Sequence, residues 1–164
     1  MEDHNLFNDN IVKEFSVRKE ESNGIFDWWD FISEKSDLPT SLGFAKFFCP
    51  DIIEVEGCFL LKNRYNARNF SEWKNEEGLN PTELEKITNL YEVTDFFPTN
   101  TDITNYSEMI DALGEILKYF WGLTLRDRYP NIKFVVDLFE EYEYEIDDKE
   151  YASLYITVYV DRLI

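Results

Sequence analysis

The stretch IKFVVDLFEEYEYEIDDKEYASLYITVYV, residues 132–160, decides the fold of this chain. Its apolar residues recur at every second position, the period of a strand whose side chains alternate between two faces. In the first half Ile132, Phe134, Val136 and Leu138 share a face, which continues as Glu140, Tyr142, Tyr144 and Ile146. In the second half Ala152, Leu154, Ile156, Val158 and Val160 share a face. Two strands, 132–146 and 150–160, joined at an acidic tip, therefore predict an antiparallel hairpin. Parity constrains its register, because a slip of one residue moves a whole stripe to the other face. A two-residue loop at 147–148 splits the apolar stripes. A three-residue loop, Asp147–Lys149, pairs 146 with 150, 142 with 154, 138 with 158 and 136 with 160, and keeps both stripes together. Glu140 then points inward opposite Ile156, and a β-bulge near 140–141 is expected to turn it out.

The other face of the hairpin is different in kind. Asp137, Glu141, Glu143, Glu145 and Asp147 form a single-sign row, with Asp148 beside it at the tip. Phe139, Tyr155 and Tyr159 lie on the same face. Aromatic rings supply rigid contact area, and carboxylates supply charge complementary to Lys or Arg. These nine residues are the candidate partner-binding set. The competing expectation is that a helix covers this face.

Outward from the hairpin, the longest helical pattern spans 105–128. Asn105 stands at its expected cap with Glu108 three residues on. Ile110, Leu113, Leu117, Phe120 and Thr124 recur at helical spacing, supported by Met109, Ile116 and Trp121. Pro130 stops the helix. It is expected to pack on the even-numbered face of the hairpin. In NPTELEKITNLY, Asn80, Pro81 and Glu83 spell a capping box, and Leu84, Ile87 and Tyr91 predict the buried face. IIEVEGCFLL, 52–61, predicts one interior strand, and 91–97 a possible edge segment. NARNFSEWKNEEG fits a helix burying Phe70 and Trp73, with Gly78 past its end. GIFDWWDFISEKSDLP predicts a short helix, with Phe26, Trp29 and Phe31 or Ile32 near helical spacing, ended before Pro39. TSLGFAKFFCP predicts another, stopped by Pro50. Residues 1–23 are polar and predict a loosely ordered lead-in to a single domain, 1–164. The fold class expected is α+β: a small antiparallel sheet with a C-terminal β-hairpin, packed against a long helix and several short ones.

Composition narrows function. Acidic side chains number 34 and basic ones 16, so the formal net charge is −18. That weighs against direct binding of nucleic acid or an anionic membrane, both of which present phosphates. MEDHNLFNDN has neither a basic nor an apolar leader region, and no run of about 18 apolar residues occurs, so a cytoplasmic chain without a membrane span is expected. The only histidine is His4, and Cys49 and Cys58 have no partner cluster. A Ser–His–Asp or Cys–His constellation therefore lacks material, as does a zinc site. No glycine-rich phosphate loop is present. No catalytic residue, cofactor or metal is expected. Asp147, Asp148 and Glu150 offer oxygen ligands, but without the D-x-[DN]-x-[DN]-G spacing of a calcium loop.

Two stretches carry a resemblance. They are PDIIEVEGCFLLKNRYNARNFSEWKNE, 50–76, and ILKYFWGLTLRDRYPNIKFVVDLFEE, 116–141. Their order is an apolar strand, an N-F-x-x-W helix (Asn69 to Trp73), then a Trp-bearing helix ending R-x-R-Y-P (Arg126 to Pro130) before a strand. Over residues 40–140 this resembles small acidic immunity proteins of bacterial polymorphic toxin systems. The resemblance implies a non-enzymatic cytosolic protein that inhibits one toxin, and it assigns no site residue. The leading expectation is thus an immunity or inhibitor protein neutralising a cationic protein toxin. The alternatives are a DNA-mimic inhibitor of a nucleic-acid-binding protein, and a carboxylate-based metal-binding protein or enzyme.

Overall fold

A computed structural model of the chain describes residues 5–75, 78–97, 106–146 and 149–162, the side chains of 106, 142–146 and 149–152 excepted. In chain order the elements are α1 (Lys13–Glu21), α2 (Trp28–Lys35), α3 (Leu38–Phe48), β1 (Ile52–Val55), β2 (Cys58–Leu61), α4 (Ala67–Asn75), α5 (Pro81–Thr88), β3 (Tyr91–Glu92), α6 (Tyr106–Arg128), β4 (Phe134–Ile146) and β5 (Lys149–Val160). The fold is α+β. The strands form two antiparallel sheets, β1-β2 and β3-β5-β4. No described helix is long and apolar enough to cross a membrane.

The C-terminal hairpin keeps the expected parity but shifts the expected register by two residues. Phe134 pairs with Val160, Val136 with Val158, Leu138 with Ile156 and Tyr142 with Ala152. At the tip Ile146 pairs with Lys149, so only 147 and 148 lie between the paired residues. The irregularity falls between Glu143 and Ile146, not at 140–141. There β4 spends one more residue than β5, which converts a two-residue loop into a same-face pairing of both stripes. Glu140 stands opposite Leu154 rather than Ile156, and is exposed without a bulge of its own.

The single strand expected at 52–61 is instead a hairpin in a separate sheet. Glu56 (φ 49°) and Gly57 (φ 80°) both occupy the left-handed region that a two-residue I′ turn requires. Glycine takes this conformation freely, but a glutamate there gives no strong turn signal in the sequence. Only Tyr91–Glu92 of the expected 91–97 segment edges β5, and Val93–Phe96 wind into a 3₁₀ turn.

Helix α6 lies on the even-numbered face, as its periodicity predicts. Leu117, Trp121 and Leu125 are buried with Leu154, Ile156 and Val158. Trp121 Nε1 donates to Phe47 O (3.0 Å) and Arg128 Nη1 to Pro50 O (3.2 Å), which ties the end of α3 to the helix. The expected cap, Asn105, lies outside the described residues. Helix and sheet pack tightly at Gly114. A Cβ there would sit 2.7 Å from Leu154 Cδ2 and 3.0 Å from Leu138 Cδ1, whereas one at Gly122 meets nothing within 4 Å. Opposite signs follow. Gly114→Val should destabilise by about 1–3 kcal/mol through overpacking. Gly122→Ala should stabilise by about 0.5–1 kcal/mol through helix propensity. Urea unfolding of the two variants checks this, and shifts of the same sign would contradict the packing at Gly114.

The N-terminal lead-in is also corrected. It forms α1, in which Phe15 is only 1% exposed and stacks on Trp28 at 3.9 Å. Phe31 closes the cluster edge-on to both rings. Trp28, not Trp29, is therefore the inward tryptophan, and Trp29 is 81% exposed. Helix α2 ends at Lys35, before Pro39 as expected, but the proline belongs to the next helix. Asp37 caps the following helix by accepting from Thr40 N (2.8 Å), and Pro39 sits in that helix's first turn, where a missing N–H costs nothing.

Helix α5 begins as its capping box predicts, with Asn80 Oδ1 accepting from Thr82 N and Glu83 N, and Asn80 N donating to Glu83 Oε2. Its buried face matches the expected one at Leu84 but not at Ile87. Ile87 is exposed, while Leu84, Glu85, Thr88 and the following Asn89 are buried. The reason lies in the two sheets, which share no ladder. Glu85 Oε1 accepts from Phe59 N (2.7 Å) and Oε2 from Val160 N (2.8 Å). Asn89 Oδ1 accepts from Leu61 N (2.8 Å), and its Nδ2 donates to Phe59 O (2.9 Å) and Val158 O (2.8 Å). The two side chains supply the hydrogen bonds that strand pairing between β2 and β5 would have supplied. Arg162 completes the clamp, reaching both Glu85 oxygens at 2.7 Å. The hydrogen-bonded Glu85 carboxylate holds the guanidinium pKa above its ordinary value.

Candidate functional site

Of the predicted partner-binding residues, Asp137, Phe139, Glu141, Tyr155 and Tyr159 fall on the odd-numbered face of β4 and β5. Helix α5 crosses part of that face. Thr157 Oγ1 donates to Lys86 O (2.8 Å), Thr82 Oγ1 approaches Val160 O (3.4 Å), and Lys86 Nζ stands 4.3 Å from the centre of the Tyr159 ring. The C-terminal half of β5 is thus covered, and β4 is left open beside it. Between them run two adjoining clefts of about 610 and 500 Å³ that share Glu83 and Lys86. Val135, Asp137 and Phe139 of β4 form the floor on the open side, and Ile87 of α5 and Leu90 just past its end stand opposite.

The structure brings some predicted residues together and separates others. Phe139 pairs across the strands with Tyr155, their rings 5.8 Å apart and nearly parallel. Asp137 lies two residues from Phe139 on the same face and is half-buried, and Glu141 is exposed. Tyr159 sits apart, under Lys86 and opposite Val135. Asp147 and Asp148 lie outside the described residues, as do the side chains of Glu143 and Glu145. The expectation that a helix covers the face and the expectation that it stays open each describe one strand.

Sequence reasoning missed the wall of the cleft. Glu83, Lys86, Ile87 and Leu90 recur at helical spacing, but apolar periodicity places Ile87 on the buried side. Polar Glu85 and Asn89, four residues apart, were the available signal that the helix is turned the other way.

Chemically the site offers exposed apolar surface at Phe139 (37%) and Ile87 (36%) beside the carboxylates of Asp137, Glu83 and Glu141. Its cations are Lys86, engaged over Tyr159, and Arg162, engaged by Glu85. Among the described residues no three His, Cys, Asp or Glu side chains converge as a metal-ligand set. Cys58 is buried, and burial, reinforced by the nearby Glu85 charge, pushes its thiol pKa up, against the direction that makes a nucleophile. An apolar cleft rimmed by acid, without a convergent reactive group, is suited to recognition. No family model matches the chain, and no curated protein or solved structure matches it either.

Proposed function

We propose that this chain is a non-enzymatic acidic binding protein, an immunity or inhibitor protein that neutralises a cationic protein toxin in the cytoplasm. The observation that carries the proposal is Asp137 and the exposed Glu141, set beside the exposed ring of Phe139 on the face of β4 that α5 leaves open, in a sequence that continues the acidic row through Glu143 and Glu145. A toxin that grips phosphate is basic at its groove, and an acidic surface meets it with complementary charge. Opposite charge also accelerates encounter. The resemblance to immunity proteins points the same way.

The test uses a basic toxin encoded beside this gene. Coexpression should relieve its toxicity, and the purified pair should bind in the nanomolar range. Reversal of Glu141, Glu143 and Glu145 to Lys should weaken binding by about 10- to 100-fold, chiefly through slower association, and added salt should mimic the effect. Binding indifferent to both would remove the hairpin from the interface. Competition by DNA for the same partner would turn the proposal towards DNA mimicry.

A further inference from the structure

We propose that the outer edge of β4 is a strand-addition site for an extended cationic segment of a protein partner. The proposal rests on the acidic-binder function above and specifies how that partner is held. The sheet order β3-β5-β4 leaves β4 last, and among the described residues nothing pairs with its outer edge. The register says which groups are open. Asp161 N donates to Lys133 O (2.8 Å), so 133 and 161 form a hydrogen-bonded pair. Alternation then turns the backbone of Val135, Asp137, Phe139 and Glu141 towards β5, and that of Phe134, Val136, Leu138 and Glu140 outward.

The opposite side of the sheet shows what this fold does with an edge it needs to close. There β3 pairs with Tyr155 and Ile156. Beyond it Asn89 takes Val158 O, and Glu85 takes Val160 N. Among the described residues no such closure occurs on β4. Three usual protections are absent from 134–141: it contains no proline and no lysine, and the bulge falls later, between Glu143 and Ile146, so the charges that guard this edge are all acidic.

Charge selects the occupant. Asp137, Glu140 and Glu141 line this stretch with no base among them. A second copy of the same edge would set carboxylate against carboxylate, which disfavours self-pairing. A strand with Lys or Arg at alternate positions would instead place cations beside Asp137 and Glu141, next to the exposed ring of Phe139. Main-chain hydrogen bonds would then supply affinity and the alternating side chains specificity.

The experiment uses a blocked peptide of about ten residues alternating Lys and Val, the length of a long strand. Binding is read by fluorescence anisotropy, and amide exchange of the full chain by NMR. Saturating peptide should slow exchange at Phe134, Val136, Leu138 and Glu140 by about tenfold or more. Glu140→Pro removes an outward donor and spares the β4–β5 ladder, so it should weaken peptide binding by about tenfold, against about twofold for the charge control Glu140→Gln. Unchanged exchange at those four amides, or equal binding by the Pro and Gln variants, overturns the edge proposal. If Glu140→Pro fails to fold, the exchange measurement on the unmodified chain still decides. Salt-sensitive peptide binding without amide protection would overturn strand addition and leave the acidic-binder function standing. Loss of toxin neutralisation is a failure of that function, scored separately.

Discussion

Replacing Glu85 with alanine is expected to lower the unfolding free energy by about 3–5 kcal/mol, the range for breaking a buried charge pair by removing one partner. Glu85 is fully buried and accepts four hydrogen bonds, two from backbone N–H groups in different sheets and two from Arg162. Truncation leaves Phe59 N and Val160 N without their acceptor, each at a desolvation cost, and leaves the guanidinium without its counter-charge and, among the described residues, with only Thr82 Oγ1 and Gly57 O to accept from it. Glu85→Gln should cost less than alanine but remain clearly destabilising, because its amide nitrogen must face a donor where the carboxylate offered an acceptor. Urea unfolding followed by tryptophan fluorescence measures both. A midpoint shift at constant slope reports stability alone. A loss under about 1 kcal/mol for Glu85→Ala, within the net value of one ordinary hydrogen bond, would show that the clamp is not what joins the sheets.

The second large effect is at Asn89. Asn89→Leu preserves approximate shape and raises apolarity at a fully buried position, which the hydrophobic effect alone would favour. Yet it strands Leu61 N, Phe59 O and Val158 O, three backbone groups facing one side chain. At about 1–3 kcal/mol for each unsatisfied group, the loss is expected to reach about 3 kcal/mol or more. That is a large share of the roughly 5–15 kcal/mol that holds a domain together. Combined with Glu85→Ala, the losses should not add, because both side chains bridge the same two strands. A double-mutant cycle with a coupling of about zero would mean the two contacts act independently. An Asn89→Leu variant as stable as the parent would show that water or a shifted backbone satisfies those groups equally well.

These two residues also mark the limit of reading the chain linearly. The period-two stripes of 132–160 specified the hairpin and its buried parity. The period of 105–128 specified the helix that covers it, because both patterns record a repeating local geometry. The capping box at Asn80 was legible for the same reason: its partners are three residues apart. For α5 the apolar pattern pointed to Ile87, and the helix is rotated so that Glu85 and Asn89 face inward. Hydrophobicity did not lose a local contest there. The inward face was chosen by unpaired backbone of β2 and β5, which the sequence places about 25 and 70 residues away.

The candidate site divides along the same line. The sequence alone determined the acidic row and its sign, and the place of Asp137 and Glu141 on the face opposite the apolar stripe, since charge and strand parity need no partner. The tertiary structure decided that α5 covers β5 and leaves β4 open, that Phe139 stacks on Tyr155 while Tyr159 lies under Lys86, and that β4 ends the sheet. It also split 52–61 into a hairpin and gave Phe15 a buried place against Trp28. Those outcomes depend on which elements meet. Meeting is set by the need to satisfy buried backbone groups and to close apolar surface between segments distant in the chain, and neither demand leaves a periodic trace in the sequence.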